Sequence, residues 1–131
     1  MVLDTSALVA VLEREPGYES YLRAITRDRL RLLSAVSYLE TLVVMAAKKP
    51  ETGRDAVDGF VQRFAIEVVP FNKQQAMAAA LGYERFGKGR HPAGLNFGDC
   101  AALGLAVNRS EALLFKGNDF SRTDVTRVPV D

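Results

Sequence analysis

The sequence has one cysteine and one histidine in 131 residues. The lone Cys100 excludes an internal disulfide and a cysteine-rich metal site. The lone His91 excludes paired-histidine zinc motifs and leaves imidazole chemistry to a single residue. Net charge is equally scarce. Its 17 basic and 16 acidic residues leave +1, so no whole-molecule field marks a nucleic-acid or membrane binder, and a polyanionic partner must be met by a local patch. No apolar run approaches the ~20 residues that span a bilayer. The longest, Ala7–Leu12 and Leu42–Ala47, read as pieces of buried elements. Asp4 stands where a secretion signal would carry Lys or Arg, which points to a cytoplasmic protein. The rest is ordinary globular composition, 48% apolar and 25% charged. One domain over residues 1–131, with a sizeable core, follows.

Met1–Asp4 reads as a short buried strand ending on an acid, and Thr5 or Ser6 is placed to cap the helix after it. Pro16-Gly17 breaks that helix, and Tyr18, Leu22 and Ile25 recur at helical spacing. Leu30–Leu33 and the β-branched Ile66–Val69 read as further strands. Between them Ser34 opens a helix running to about Lys49, and Ala56, Val57, Phe60, Val61 and Phe64 mark one face of another. Asn72 caps a helix to about Phe86, and a helix from about Asp99 to Asn108 follows a glycine-rich segment. Ala112–Phe115 is a fourth strand and Val128–Val130 a candidate fifth. Strands alternating with helices indicate an α/β fold with a mostly parallel sheet.

Four acids stand out. Glu40 is the only charge between Ala35 and Ala47, and Asp99 the only one between Pro92 and Asn108. A carboxylate on an apolar helix is costly to bury unless paired or bound to a cation. Each also has a plain reading: an exposed stripe for Glu40, a helix-dipole partner for Asp99. Asp4 and Asp119 follow strands, and ligands of open parallel sheets bind outside the carboxyl ends of the strands. Their plain readings are a helix cap and a turn residue beside Gly117 and Asn118. Clustered carboxylates repel one another unless protonated or joined by a hard cation. Carboxylate oxygens suit Mg²⁺, with Mn²⁺ as substitute. Two such ions about 4 Å apart activate water and stabilise the leaving oxygen of a phosphodiester. The chemistry indicated is metal-assisted hydrolysis of a nucleic acid.

The stretches Val2-Leu3-Asp4-Thr5-Ser6-Ala7-Leu8, Ser37-Tyr38-Leu39-Glu40-Thr41, Gly87-Lys88-Gly89-Arg90-His91 through Asn96-Phe97-Gly98-Asp99-Cys100, and Leu113 through Phe120 resemble the PIN-domain ribonucleases, specifically the VapC toxins of type II toxin–antitoxin systems. The resemblance covers essentially the whole chain. It implies a PIN-like three-layer fold with a central five-stranded parallel sheet flanked by helices. The implied activity is Mg²⁺-dependent endoribonuclease cleavage by metal-activated water, and the implied site is Asp4, Glu40, Asp99 and Asp119. Thr5 or Ser6 takes the place of the family's small hydroxyl that orients the first acid. Asn118 departs from relatives that carry a second acid there. The implied partners are an RNA substrate, a VapB-type antitoxin seated on an apolar groove near the second to fourth helices, and a second copy of the chain in a homodimer.

Five of the ten glycines fall between Gly82 and Gly98, which predicts a mobile loop. Its Lys88 and Arg90 are candidate RNA-backbone contacts beside Asp99. Gly82 through Lys88 imitates the start of a phosphate-binding loop, but position 89 is Gly and Gly82 lies in a helical pattern. Two other functions compete. A phosphoacceptor or phosphatase-like domain also places Asp after the first strand, yet that pattern wants a second Asp where Ser6 stands. A catalytically silent PIN-like binding module would have no need of all four acids.

Overall fold

A computed structural model describes residues 1–131. Four short parallel strands form one sheet: β1 (Val2–Leu3), β2 (Leu32–Ser34), β3 (Glu67–Val69) and β4 (Leu113–Leu114), in the order β3-β2-β1-β4. Successive side chains along a strand point to opposite faces, and the two cores divide accordingly. Val2, Leu32, Val69 and Leu113 join one cluster; Leu3, Leu33 and Leu114 join the other. The first is covered by α5 (Lys73–Phe86) and α6 (Phe97–Arg109), the second by α1 (Thr5–Leu12), α2 (Tyr18–Arg27) and α4 (Gly53–Arg63). The helix α3 (Ala35–Lys48) follows β2 and packs against α1, α4 and α6. The result is the expected three-layer α/β arrangement.

The sheet has four strands where five were expected. Val128–Val130 forms none. The segment beside β4 makes a single parallel bridge, Leu113 to Arg127, with Leu113 N–H donating to the Thr126 carbonyl (2.8 Å) and Val128 N–H to the Leu113 carbonyl (2.9 Å). No further backbone bond joins this segment to β4 beyond Val128. Val128 and Val130 still pack on the second core. Arg31, just before β2, is structural: its guanidinium donates to the carbonyls of Ile25, Thr26 and Phe64 and ties the end of α2 to the end of α4.

α6 is the central helix. Every residue from Asp99 to Ala106 is buried, and it packs along α5 more extensively than any other pair of elements. Gly104 permits that approach: a Cβ there would lie 2.7 Å from the Gln75 carbonyl oxygen and 3.0 Å from the Ala79 nitrogen. Both are backbone atoms of α5, so neither can turn aside. Gly104→Ala should destabilise the fold by about 1–3 kcal/mol, lowering Tm by roughly 5–15 °C. A melting curve within a degree of wild type would show that the helices separate freely at this point.

Candidate active site

Asp4 directly follows β1 and is the N-cap of α1, taking the role assigned to Thr5 or Ser6 by sequence. Its Oδ2 accepts from Ser6 N–H (3.0 Å) and from the Ser6 hydroxyl (2.6 Å). Ser6 Oγ also accepts from the Lys116 backbone N–H (3.0 Å), joining the end of β4 to Asp4. Ser6 is therefore the hydroxyl that orients Asp4. Thr5 turns away and donates to the Ser37 carbonyl (3.3 Å). The other Asp4 oxygen, Oδ1, is buried and has no hydrogen-bond partner.

Asp99 is built the same way. α6 begins at Phe97, two residues earlier than the sequence pattern indicates, because Asn96 caps it. Asn96 Oδ1 accepts from Asp99 N–H (2.8 Å) and Asp99 Oδ2 accepts from Asn96 N–H (3.0 Å), a reciprocal capping box. Asp99 is 9% exposed and Asp4 3%. The plain reading of both aspartates as helix-end residues is correct as far as it goes. Each commits one carboxylate oxygen to its cap and keeps the other.

Glu40 projects half-buried from α3, and its carboxylate lies against the α6 backbone at Gly98. Asp119 is exposed in the turn after β4, with Asn118 beside it accepting at its carbonyl from the Ser121 hydroxyl. Electrostatics tie the four together. Burial pushes the Asp99 carboxyl up to about 7, and the charges of Asp4, Asp119 and Glu40 add to the rise. Burial raises Asp4 to about 6 against the lowering effect of Ser6, with a further push from Glu40. Burial and the Asp99 charge also push the Cys100 thiol up to about 11, so it stays protonated and inert as a nucleophile.

Hard oxygen donors and an unpartnered buried carboxylate oxygen fit a divalent cation. No three His, Cys, Asp or Glu side chains are already drawn to ligating distance.

The glycine-rich loop closes on itself. Lys88 N–H donates to the Leu95 carbonyl and Leu95 N–H to the Phe86 carbonyl, both at 2.9 Å, with Ala93 and Leu95 buried beneath. His91 is structural: its Nδ1 accepts from Ala93 N–H (3.0 Å) and its ring stands edge-on to Phe86. Lys88 and Arg90 are exposed. Arg90 borders an apolar groove of about 470 Å³ lined by Val36, Phe71, Tyr83, Phe97 and Ala101 among others. This groove lies between α5, α6 and the start of α3, whereas the cleft along α2 is bordered by Glu19, Arg23 and Arg27. Gly82 sits inside α5, away from any strand end, so the apparent phosphate loop is a helix.

A parallel sheet with acids gathered beyond its strand ends defines the class, and the PIN domain family profile matches residues 1–125. The chain belongs to the PIN-domain family, and within it to the VapC ribonucleases. It is 48% identical over 128 residues to the ribonuclease VapC30 of Mycobacterium tuberculosis, covering 98% of each chain. To the ribonuclease VapC of Mycolicibacterium smegmatis it is 46% identical over 128 residues, covering 98% of this chain and 99% of the relative. Among solved structures it resembles Mycobacterium tuberculosis VapC20, described as a sarcin-ricin loop cleaving toxin, with a TM-score of 0.79 at 14% identity over 97% of each chain. VapBC2 from Rickettsia felis, bound to a DNA fragment from its promoter, gives a TM-score of 0.75 at 18% identity over 99% of this chain and 98% of that one. At such identities the structural likeness establishes the fold.

The raised carboxyls set a pH dependence. Asp4 and Asp99 titrate near 3.8 when unfolded and higher when folded. The fold binds their protons more tightly than the unfolded chain, so stability falls as pH climbs from about 4 toward 7. A tenfold difference in proton affinity between the two states is worth about 1.4 kcal/mol. In EDTA the protein should melt roughly 5–15 °C lower at pH 7.5 than at pH 4.5. Asp99→Asn, which keeps the cap geometry, should flatten that difference. Equal pH profiles for the two proteins would show that Asp99 is ionised in the fold as freely as in the unfolded chain.

Proposed function

We propose that the protein is the toxin of a type II toxin–antitoxin pair, an endoribonuclease that hydrolyses RNA phosphodiester bonds with divalent-metal help. The observation that carries this reading is Asp4, locked by Ser6 through one oxygen and presenting a buried, unpartnered second oxygen within electrostatic reach of Glu40 and Asp99. Asp4, Glu40, Asp99 and Asp119 would hold the cation, Mg²⁺ with Mn²⁺ as substitute. Bound there, it supplies a Lewis acid for the phosphoryl oxygens and lowers the pKa of water. The chain's own part is orientation. Ser6 fixes the rotamer of Asp4, Asn96 that of Asp99, and the packed α6 holds Asp99 and the backbone against which Glu40 lies. Lys88 and Arg90 would contact the RNA backbone at the mouth of the site.

The phosphoacceptor alternative gains nothing from the geometry. Ser6 stands where its second Asp belongs, and that hydroxyl is committed to Asp4 Oδ2. The named relatives are ribonucleases, and several solved neighbours are toxin–antitoxin complexes. We infer a protein antitoxin as partner and a homodimer as the resting form. No helix is long and apolar enough to cross a membrane, in keeping with action on cytoplasmic RNA.

Expression without an antitoxin should arrest bacterial growth, and Asp4→Asn or Asp99→Asn should relieve it. In a purified cleavage assay each substitution should lower kcat/KM by at least about 100-fold, or ~2.7 kcal/mol of transition-state stabilisation. Full toxicity from a folded Asp99→Asn protein would exclude the assigned site.

Lys88 and Arg90 should act on affinity. The double change to Ala should weaken RNA binding and reduce the slope of log K against log salt by roughly 0.7 per lost contact on a single strand. An unchanged slope would leave both residues as solvated loop charges.

A further inference from the structure

We propose that Gly98 is a positioning residue for Glu40: the absent side chain at the start of α6 is the seat in which the Glu40 carboxylate rests. The proposal depends on the reading above, in which Glu40 is one of the acids that hold the metal.

The contact is tight. A Cβ at position 98 would stand 2.7 Å from Glu40 Oε2, 3.1 Å from Oε1 and 3.1 Å from Cδ. All three atoms are the far end of one side chain. The carboxylate makes no ion pair that would anchor it from another direction. The α6 side of the contact cannot yield. The reciprocal cap between Asn96 and Asp99 brackets Gly98, and every residue from Asp99 to Ala106 is buried. A methyl group at 98 therefore leaves the helix in place and moves the carboxylate.

The backbone gives no other reason for glycine here. Gly98 lies in the first turn of a regular helix and, unlike Gly89 or Gly94, has no positive φ. Glycine costs a helix stability relative to alanine. A residue that weakens its helix and vacates the volume filled by an acid trades stability for the position of that acid. The start of α6 thus bears on two site acids: Asp99 is fixed through its capping oxygen, Glu40 through the space beside Gly98.

The test compares Gly98→Ala, Glu40→Gln, Glu40→Asp and the Gly98→Ala/Glu40→Asp pair in the full chain. Three readouts serve: Tm in EDTA, Mn²⁺ affinity by calorimetry without RNA, and cleavage split into kcat and KM. Gly98→Ala should melt at or a few degrees above wild type. It should bind Mn²⁺ about 10-fold more weakly and cleave roughly 10- to 100-fold more slowly, mainly in kcat. The shorter Asp at position 40 withdraws from the methyl group, so Gly98→Ala should cost little more in the Glu40→Asp background, a non-additive pair. Wild-type Mn²⁺ affinity and kcat in Gly98→Ala, with Glu40→Gln impaired, would overturn the role of Gly98. A large fall in Tm for Gly98→Ala would make it a packing glycine and overturn it equally. Wild-type Mn²⁺ affinity in Glu40→Gln would instead remove the metal-site reading underneath.

Discussion

The site depends on the division of labour within two carboxylates. Asp4 is the N-cap of α1 and Asp99 lies in the first turn of α6, and each gives one oxygen to the capping of its helix. Capping is what orients them. A side chain whose Oδ2 is fixed by hydrogen bonds has its Oδ1 fixed as well, without any further group having to touch it. Local helix initiation and the placement of a site oxygen are thus one event, completed when α1 and α6 form.

That arrangement has an electrostatic penalty. Both aspartates are buried, and burial is the main cause of their raised pKa values. Mutual repulsion adds to the rise. The positive ends of α1 and α6 offset part of this, since carboxylates at helix N-termini are stabilised by the aligned peptide dipoles. The remainder is held by the two hydrophobic cores, which lock β1 and α6 in position whatever the charge state of the cluster. Desolvation and repulsion of this kind are what a cation held between carboxylates relieves.

Much of this is legible in the sequence, for definite physical reasons. Isolated acids on apolar helices are conspicuous because the background is uncharged, which is what singles out Glu40 and Asp99. Strand–helix alternation specifies a parallel sheet, and a parallel sheet sends Asp4 and Asp119 to the same end of it. Edges are harder. The expected fifth strand does not form: Val128 and Val130 pack on the second core, but the backbone there pairs with β4 only through the single bridge at Leu113. The cap of α1 reads one or two residues late because Asp, Thr and Ser are all competent caps and only the structure distinguishes them. The segment from Gly82 to Gly98 reads as a mobile loop by composition, yet its two ends belong to α5 and α6, and the loop between them closes tightly over buried Ala93 and Leu95. Glu40 meeting Gly98 is out of reach, because the two are far apart in sequence and a glycine carries no signal of what fills its space.

Gly98 and Gly104 show why the neighbour decides what a glycine means. Both lie on α6, and at both a Cβ would fall 2.7 Å from another atom. At Gly104 that atom belongs to the α5 backbone, so the missing side chain sets the distance between two helices and its replacement strains the core. At Gly98 it belongs to the far end of the flexible Glu40 side chain, so the same deficit sets the position of one carboxylate and leaves the core untouched. The helix therefore carries two tolerances along its length. Its middle is specified by packing, where an error is read as lost stability. At Gly98 it is specified by the site, where an error leaves the core intact and is read in chemistry.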